Sequence, residues 1–448
     1  MAGGAALFVG RAAAEDVYSG QYISAEPLKR PLMGPEVPPT AIQQFRTAGK
    51  LPILRARQGR EVRFRVISTL EEELWLHFFG VRGPSDMMTV QVGPSSQTSL
   101  EVAFTPPDAG LFWFGPLLNA SRQRDMGLYG LLIVDEADPV ETFNDVPLII
   151  DDWMLDEDGK MDTDFGNLDV AIADGRIGNW FTVNGDYKPT LTMRRDARTR
   201  LRLLNACNAR DLSLTFKNLD LTLLAEDGQP VQPHPLGGER YGLSPGQRAD
   251  FLVTGVLDRG TLNIDLSADT VEAAVFAGEG GAVPPLAADF RLPANPLPIA
   301  DAALARTVAI AIEGGAKGGL QSAKVGDAIL DLRQLLEKGL AWAFNGVAGP
   351  GGPLLFEAKK GESLILAFDN KTGFAQPLHI HGHVWQVVEQ DGRPVTGAGF
   401  RDTVVITALS SAKVLLAAVN PGSWAIQSLV AERCDAGLLG GFAVSETP

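Results

Sequence analysis

Cysteine is nearly missing from the 448 residues, Cys207 and Cys434 being the only two. That is too few for a disulfide scaffold or for a zinc site built on thiolates. One bridge between them is formally allowed, and two small buried thiols are the plainer expectation. No run of 18 apolar residues occurs, which excludes a membrane-spanning helix. Basic runs are missing too, and the formal charge is -15, so neither nucleic acid nor an anionic membrane surface is an expected partner. There is no Gly-Xaa-Ser-Xaa-Gly elbow, no Walker-type loop and no Cys-Xaa-Xaa-Cys, which removes the chemistries those motifs carry. Carboxylates gather at 152–158 and 162–164 without the spacing of a calcium loop, and a solvated loop is expected there.

What the chain does have is β-forming material. Hydrophobic residues make up 45% and charged ones 21%, with 49 Gly and 29 Pro between short apolar runs, a composition that favours strands and turns. Apolar and polar residues alternate at 61–67 (EVRFRVI), 99–104 (SLEVAF), 200–204 (RLRLL) and 363–368 (SLILAF), the period of half-buried strands. Helical periodicity is convincing only at 327–337.

Internal repetition is the stronger signal. A Gly-turned aromatic strand, a loop and a Gly-broken strand occur at 107–114 with 127–134, and again at 420–426 with 436–444. Residues 180–185 (WFTVNG) and 342–346 (WAFNG) form a second pair. Three related β-sandwiches are therefore expected, with domains at 15–139, 140–277 and 304–448 and a Gly/Ala/Pro-rich linker at 278–303. Residues 1–14 read as the hydrophobic end of an export signal with Ala-Xaa-Ala before the cleavage point, although a basic leading segment is missing.

Four stretches resemble the copper motifs of the multicopper oxidase superfamily. They are residues 76–84 (LHFFGVRGP), 110–117 (GLFWFGPL), 376–383 (QPLHIHGH) and 420–438 (NPGSWAIQSLVAERCDAGL). The resemblance extends to 151–153 (DDW), 184–185 (NG), 227–230 (DGQP) and 400–403 (FRDT). It implies an all-β fold of three cupredoxin-like Greek-key β-sandwich domains in a laccase-type arrangement.

For chemistry the resemblance implies loss. The family's type 1 copper takes two His, one Cys and an axial Met or Leu; the matching positions here are Gln376, Ser428, Arg433 and Leu438. Phe79, Gly115, Leu117, Gln427 and Leu429 stand at five of the eight His positions of the three-copper cluster, leaving His77, His379 and His381. Copper needs imidazole and thiolate, whereas a guanidinium stays protonated and repels a cation. His77 and His379 match type 2 copper positions and His381 one of the coupled pair. His77 and His379 are expected to approach one another while His381 diverges. Phe78, Phe79, Leu117 and Leu429 are expected to fill part of the vacated space. His383 is expected to be structural, and His234 to sit exposed in a Pro-rich loop.

Three functions follow from the resemblance. The first is an exported, non-catalytic binding or scaffold protein of the bacterial periplasm, comparable to the copper-free SufI/FtsP-type member. It would have no cofactor, protein partners in the cell envelope and no membrane insertion. The second is a mononuclear protein holding one copper ion on His77, His379 and His381. The third is an active laccase-type oxidase.

Overall fold

Three times along the chain a strand pairs in parallel with one that follows roughly forty to sixty residues later. Gln21–Arg30 pairs with Val62–Ser68, Asn144–Trp153 with Thr199–Asn205, and Arg306–Gly314 with Glu362–Asn370. A second parallel pair closes each unit: Ile53–Arg57 with Gly130–Asp135, Thr190–Arg194 with Thr270–Glu279, and Phe356–Lys359 with Leu439–Ser445. The ladders between them, such as Leu74–Phe79 on Gly110–Pro116 and Gln376–Ile380 on Gly422–Ser428, are antiparallel. Parallel contacts inside an otherwise antiparallel unit require crossovers between two layers. The fold is all-β, three cupredoxin-like sandwiches, as the sequence implied. The computed structural model describes residues 20–95, 99–139, 143–280 and 290–446, leaving out the side chains of 254–257. The expected export signal at 1–14 lies outside the described residues.

Local chemistry explains why the repeats fold alike. Val62–Ser68 and Glu362–Asn370 alternate buried and more exposed positions, so each presents one apolar face to its sandwich. Full burial of each Val, Leu, Ile or Phe contributes about 1.5–3 kcal/mol. At the ends of these strands Ser68, Asn205 and Asn370 occupy equivalent places, all buried. Each side chain accepts from the backbone N–H two residues on: Leu70, Cys207 and Thr372 respectively. Asn370 Nδ2 also donates to the carbonyls of Phe374, Ile406 and Thr407 at 2.8, 3.1 and 2.8 Å. The two Asn-Gly pairs are tight turns: φ is 57° and 73° at Asn184 and Gly185, and 50° and 68° at Asn345 and Gly346. These left-handed values are tolerated by Asn and Gly and match the strand twist.

The middle unit departs from its neighbours. Its strands Leu212–Glu226 and Arg248–Asp265 are long enough, at 15 and 18 residues, to bend through both layers. Their ladder shifts register between Lys217 and Leu219, between Asp220 and Leu221, and between Leu223 and Ala225, which is how a strand curves. A seam of apolar residues drawn from all three units includes Phe79, Leu111, Trp113, Ile149, Trp153, Leu204 and Leu429.

Some local expectations are corrected. The periodic segment 327–337 is a strand, Ala328–Asp331, followed by a helix, Leu332–Glu337. Asp331 caps that helix and Gln334 reaches back to the cap, so the helix cannot extend further toward the N-terminus. Thr270–Glu279 remains paired to its last residue, two positions into the stretch read as linker; residues 281–289 of that stretch lie outside the described residues. His234 is exposed but stands in the strand Gln229–Pro235, not in a loop. Cys207 and Cys434 are buried free thiols.

Replacing Asn370 by Ala strands buried carbonyls, each costing about 1–3 kcal/mol. Asn370→Ala is therefore expected to lower stability by about 2–4 kcal/mol, read as an earlier unfolding transition in chemical denaturation.

Candidate functional site

The strand Leu74–Phe79 is buried along nearly its whole length, because the first unit's core lies on one side of it and the third unit on the other. Side chains alternate across it. Phe78 points into the first unit, against Phe64, Phe104 and Phe114, while His77 and Phe79 point to the seam. The strand Gln376–Ile380 repeats the arrangement. Leu378 and Ile380 enter the apolar core, and His379, followed by His381, faces the first unit.

One ring nitrogen from each of His77, His379 and His381 lies within 4.8 Å of the others. His381 does not diverge as expected; its ring stacks on His77 with centroids 4.0 Å apart. The reason lies in the strand period, which gives positions 379 and 381 the same face. Gln427 fixes His381, whose Nε2–H donates to the amide oxygen at 2.7 Å. His77 Nδ1 is 2.7 Å from Thr89 Oγ1. His379 Nδ1–H donates to Asp402 Oδ1 at 3.1 Å. The Nε2 atoms of His77 and His379 are buried without a hydrogen-bond partner.

Burial and mutual repulsion disfavour the charged forms of His77 and His381. Burial, then the neighbouring His381 and His379, pushes the His77 pKa well below its usual range. Burial, then His379, brings His381 down to about 3. Asp402 is also buried, which by itself would raise its pKa, but Arg248 and then His379 hold it well below the carboxylate range. Arg248 pairs with Asp402 through both terminal nitrogens, lies 3.5 Å from Asp227, and donates to the carbonyls of Leu111 and Gly246. Gly80 makes room for the pair, since a Cβ there would stand 2.3 Å from Asp402 and 2.5 Å from Arg248. Asp402 and Arg248 are the functional neighbours that the sequence reading missed. The available signal was a lone Asp ahead of an apolar strand in FRDT and an Arg inside the run 247–251 (QRADF).

The other family positions also come together. Arg433 Nη1 donates to Gln376 Oε1 at 3.1 Å and to Ala375 O at 2.7 Å; its Nη2 donates to Ala173 O at 3.1 Å. The guanidinium lies over the rings of Trp342 and Phe374, 5.1 and 5.0 Å from their centroids. Burial, opposed first by Asp174, lowers its pKa to about 10. Ser428 N–H donates to Leu438 O at 3.0 Å, and its Oγ accepts from Val430 N–H.

Of the groups expected to fill the seam, Phe79 and Leu429 do so. Phe79 stacks on Trp113 at 3.9 Å and stands 4.6 Å from His77. Phe78 does not, because it faces the opposite side of its strand. Leu117 does not either; it is only half-buried and lies just past the end of its strand. His383 is structural as expected: its Nδ1 is 3.0 Å from His381 O, and its ring packs against Trp424 and Phe442.

Three cupredoxin-like units with histidines converging at the seam between the first and third define a blue-copper-type architecture. The chain matches the multicopper oxidase family at 44–139, 144–262 and 329–448, and it belongs to that family. It is 25% identical over 413 residues to multicopper oxidase MmcO of Mycobacterium tuberculosis, covering 83% of this chain and 77% of that one. Cell division protein FtsP of Edwardsiella tarda is 27% identical over 293 residues, 57% of this chain and 59% of its own length. Among solved structures, a multi-copper oxidase from Pseudomonas thermotolerans is similar with a TM-score of 0.80 and 27% identity, over 95% of this chain and 98% of that one.

The depressed His381 pKa sets a pH dependence for the metal-free protein. An unfolded His binds its proton below about 6.5, and the folded one resists until about 3, so folding stability falls as pH drops through that window. His381→Asn removes this term. The stability advantage of the parent over the variant should shrink by about 1.4 kcal/mol per pH unit below 6.5, measured by denaturant titration at several pH values.

Proposed function

We propose that this chain is an exported, copper-free member of the multicopper oxidase family, acting as a non-catalytic binding or scaffold protein in the cell envelope. The observation that carries the reading is Arg433, a buried cation bonded to Gln376 where the family pattern places type 1 copper ligands. A copper ion within about 4 Å of that guanidinium would be opposed by about 4 kcal/mol per unit charge at an effective dielectric constant near 20. Ser428 offers a neutral hydroxyl where the family has a thiolate, and Leu438 is wholly buried among apolar groups. The type 1 positions therefore do not fit copper. The three-copper cluster fits no better, with Phe79 and Leu429 packed into the seam and Gln427 bonded to His381. Without a route for electrons to enter, oxygen reduction has no first step. The likeness to cell division protein FtsP supports a binding role, and the apolar N-terminal stretch supports export.

Copper loading of the purified protein tests the reading. No intense blue band and no turnover of a phenolic or diamine dye are expected; a blue band together with dye turnover would restore the oxidase.

A second reading, one copper ion on His77, His379 and His381, is favoured by the two buried Nε2 atoms that lack partners. Asp402 fixes the His379 tautomer so that Nε2 keeps its lone pair, an arrangement common behind metal-bound imidazoles. On the scaffold reading, the melting-temperature response to one equivalent of copper is the same in the parent and in His379→Ala. A large stabilisation that the substitution abolishes would favour the mononuclear site.

A further inference from the structure

Two carboxylates and a thiol meet inside the second unit. Asp151 and Asp152 lie near the end of the strand Asn144–Trp153, and Cys207 follows two residues after the strand Thr199–Asn205, which runs parallel beside it. Ile150 is opposite Asn205 in that register, so the two strand ends emerge together. One oxygen from each carboxylate and the Cys207 sulfur lie within 4.8 Å of one another, and all three residues are buried.

The best-aligned donors reach one oxygen of each carboxylate, while the Tyr129 hydroxyl stands beside Asp151 and the Cys207 thiol beside Asp152 as further side-chain donors. The Asp152 N–H donates to Asp151 Oδ1 at 2.9 Å, while Gly178 N–H and Arg210 Nε–H donate to Asp152 Oδ2 at 2.7 and 2.6 Å. Asp151 Oδ2 and Asp152 Oδ1 are buried and receive no well-aligned hydrogen bond. A buried carboxylate oxygen without a donor calls for either a proton or a cation. Two carboxylates and a thiolate carry three negative charges. Arg210, the guanidinium bonded to the pair, supplies one positive charge, and a divalent ion would supply the other two.

We propose that Asp151, Asp152 and Cys207 bind one divalent metal ion of the zinc and cobalt class, at a site distinct from the three histidines. The donor set, one soft sulfur with two hard oxygens, suits a borderline ion better than calcium or magnesium. Ligand atoms around such an ion stand roughly 3.3–3.8 Å apart, which follows from tetrahedral geometry at bonds of about 2.0–2.3 Å, so binding draws the three groups inward. The Arg210 and Gly178 bonds hold Asp152 from behind as the ion arrives. Metal uptake forms the metal–sulfur and metal–oxygen bonds and releases the thiol proton to solvent, because the thiolate is the ligand.

Cobalt(II) tests this, because sulfur ligation produces a near-ultraviolet thiolate-to-cobalt charge-transfer band. The protein, freed of metal with chelator, should develop that band with one equivalent of cobalt(II) and release the thiol proton. Zinc should displace the cobalt and bleach the band. Cys207→Ser should abolish the band, whereas Cys434→Ser and His379→Ala should retain it. Because Cys207→Ser could fail to fold, Asp151→Asn serves as a second, nearly isosteric variant. It should keep or raise the metal-free melting temperature and weaken cobalt binding at least tenfold. No charge-transfer band in the parent, a band that survives Cys207→Ser, or unchanged cobalt affinity in Asp151→Asn would each overturn the proposal and leave Asp151 simply protonated. None of these outcomes bears on the copper reading, which is decided by dye oxidation and the His379-dependent response.

Discussion

Arg248 holds the three units in one geometry. Its side chain is fully buried between Asp402 of the third unit, Asp227 of its own unit and the Leu111 carbonyl of the first. A guanidinium so placed is costly unless its donors are met, and removing one partner of such a pair typically costs about 3–5 kcal/mol. Asp402 is bonded on its other side to His379, so the orientation of that imidazole is set by an ion pair spanning two domains. Gly80 is what allows the approach. The site thus takes its shape in part from a buried charge network that links all three units.

At the seam, apolar packing stands directly beside the three histidines. Phe79 against Trp113, with Leu429 beside them, places apolar surface where the family has imidazoles. Such surface is stabilised by removal from water, with no need for an ion. Arg433 takes a comparable course at the type 1 positions: carbonyl oxygens and two aromatic faces receive its charge. Both solutions are local, which is why the strands carrying them remain in register.

The fold was legible because it is written in short-range signals. The alternation in EVRFRVI and SLILAF, and the doubled Asn-Gly turns, each specify a strand or hairpin from adjacent residues. The helix expected over 327–337 failed because Asp331 is a cap: periodicity counts apolar positions and is blind to a side chain that ends the element. The site was legible in part. His77, His379 and His381 were named from motifs, but the placement of His381 depends on which face of its strand meets the first unit. Phe78 and Leu117 were misplaced for the same reason, since membership of a motif does not say on which side of the strand, or how far past its end, a side chain lies. Asp402 and Arg248 stood in plain view, yet nothing local marks an Arg as the partner of an Asp 154 residues away.

The seam contacts also impose an order of events on folding. Arg124 donates to the Leu429 carbonyl across 305 residues, and Asp435 accepts from Ser121 across 314. Loop closure over such distances is slow compared with forming the hairpins within one unit. The first sandwich must therefore wait, its seam-facing strand uncovered, until the last hundred residues exist and have folded. During that interval the strand's His77 face lacks the cover of the third unit, although Trp113 of the same unit still stacks on Phe79. The lifetime of that half-assembled state, set by how quickly the third unit docks, governs whether newly made chains mature or associate with one another.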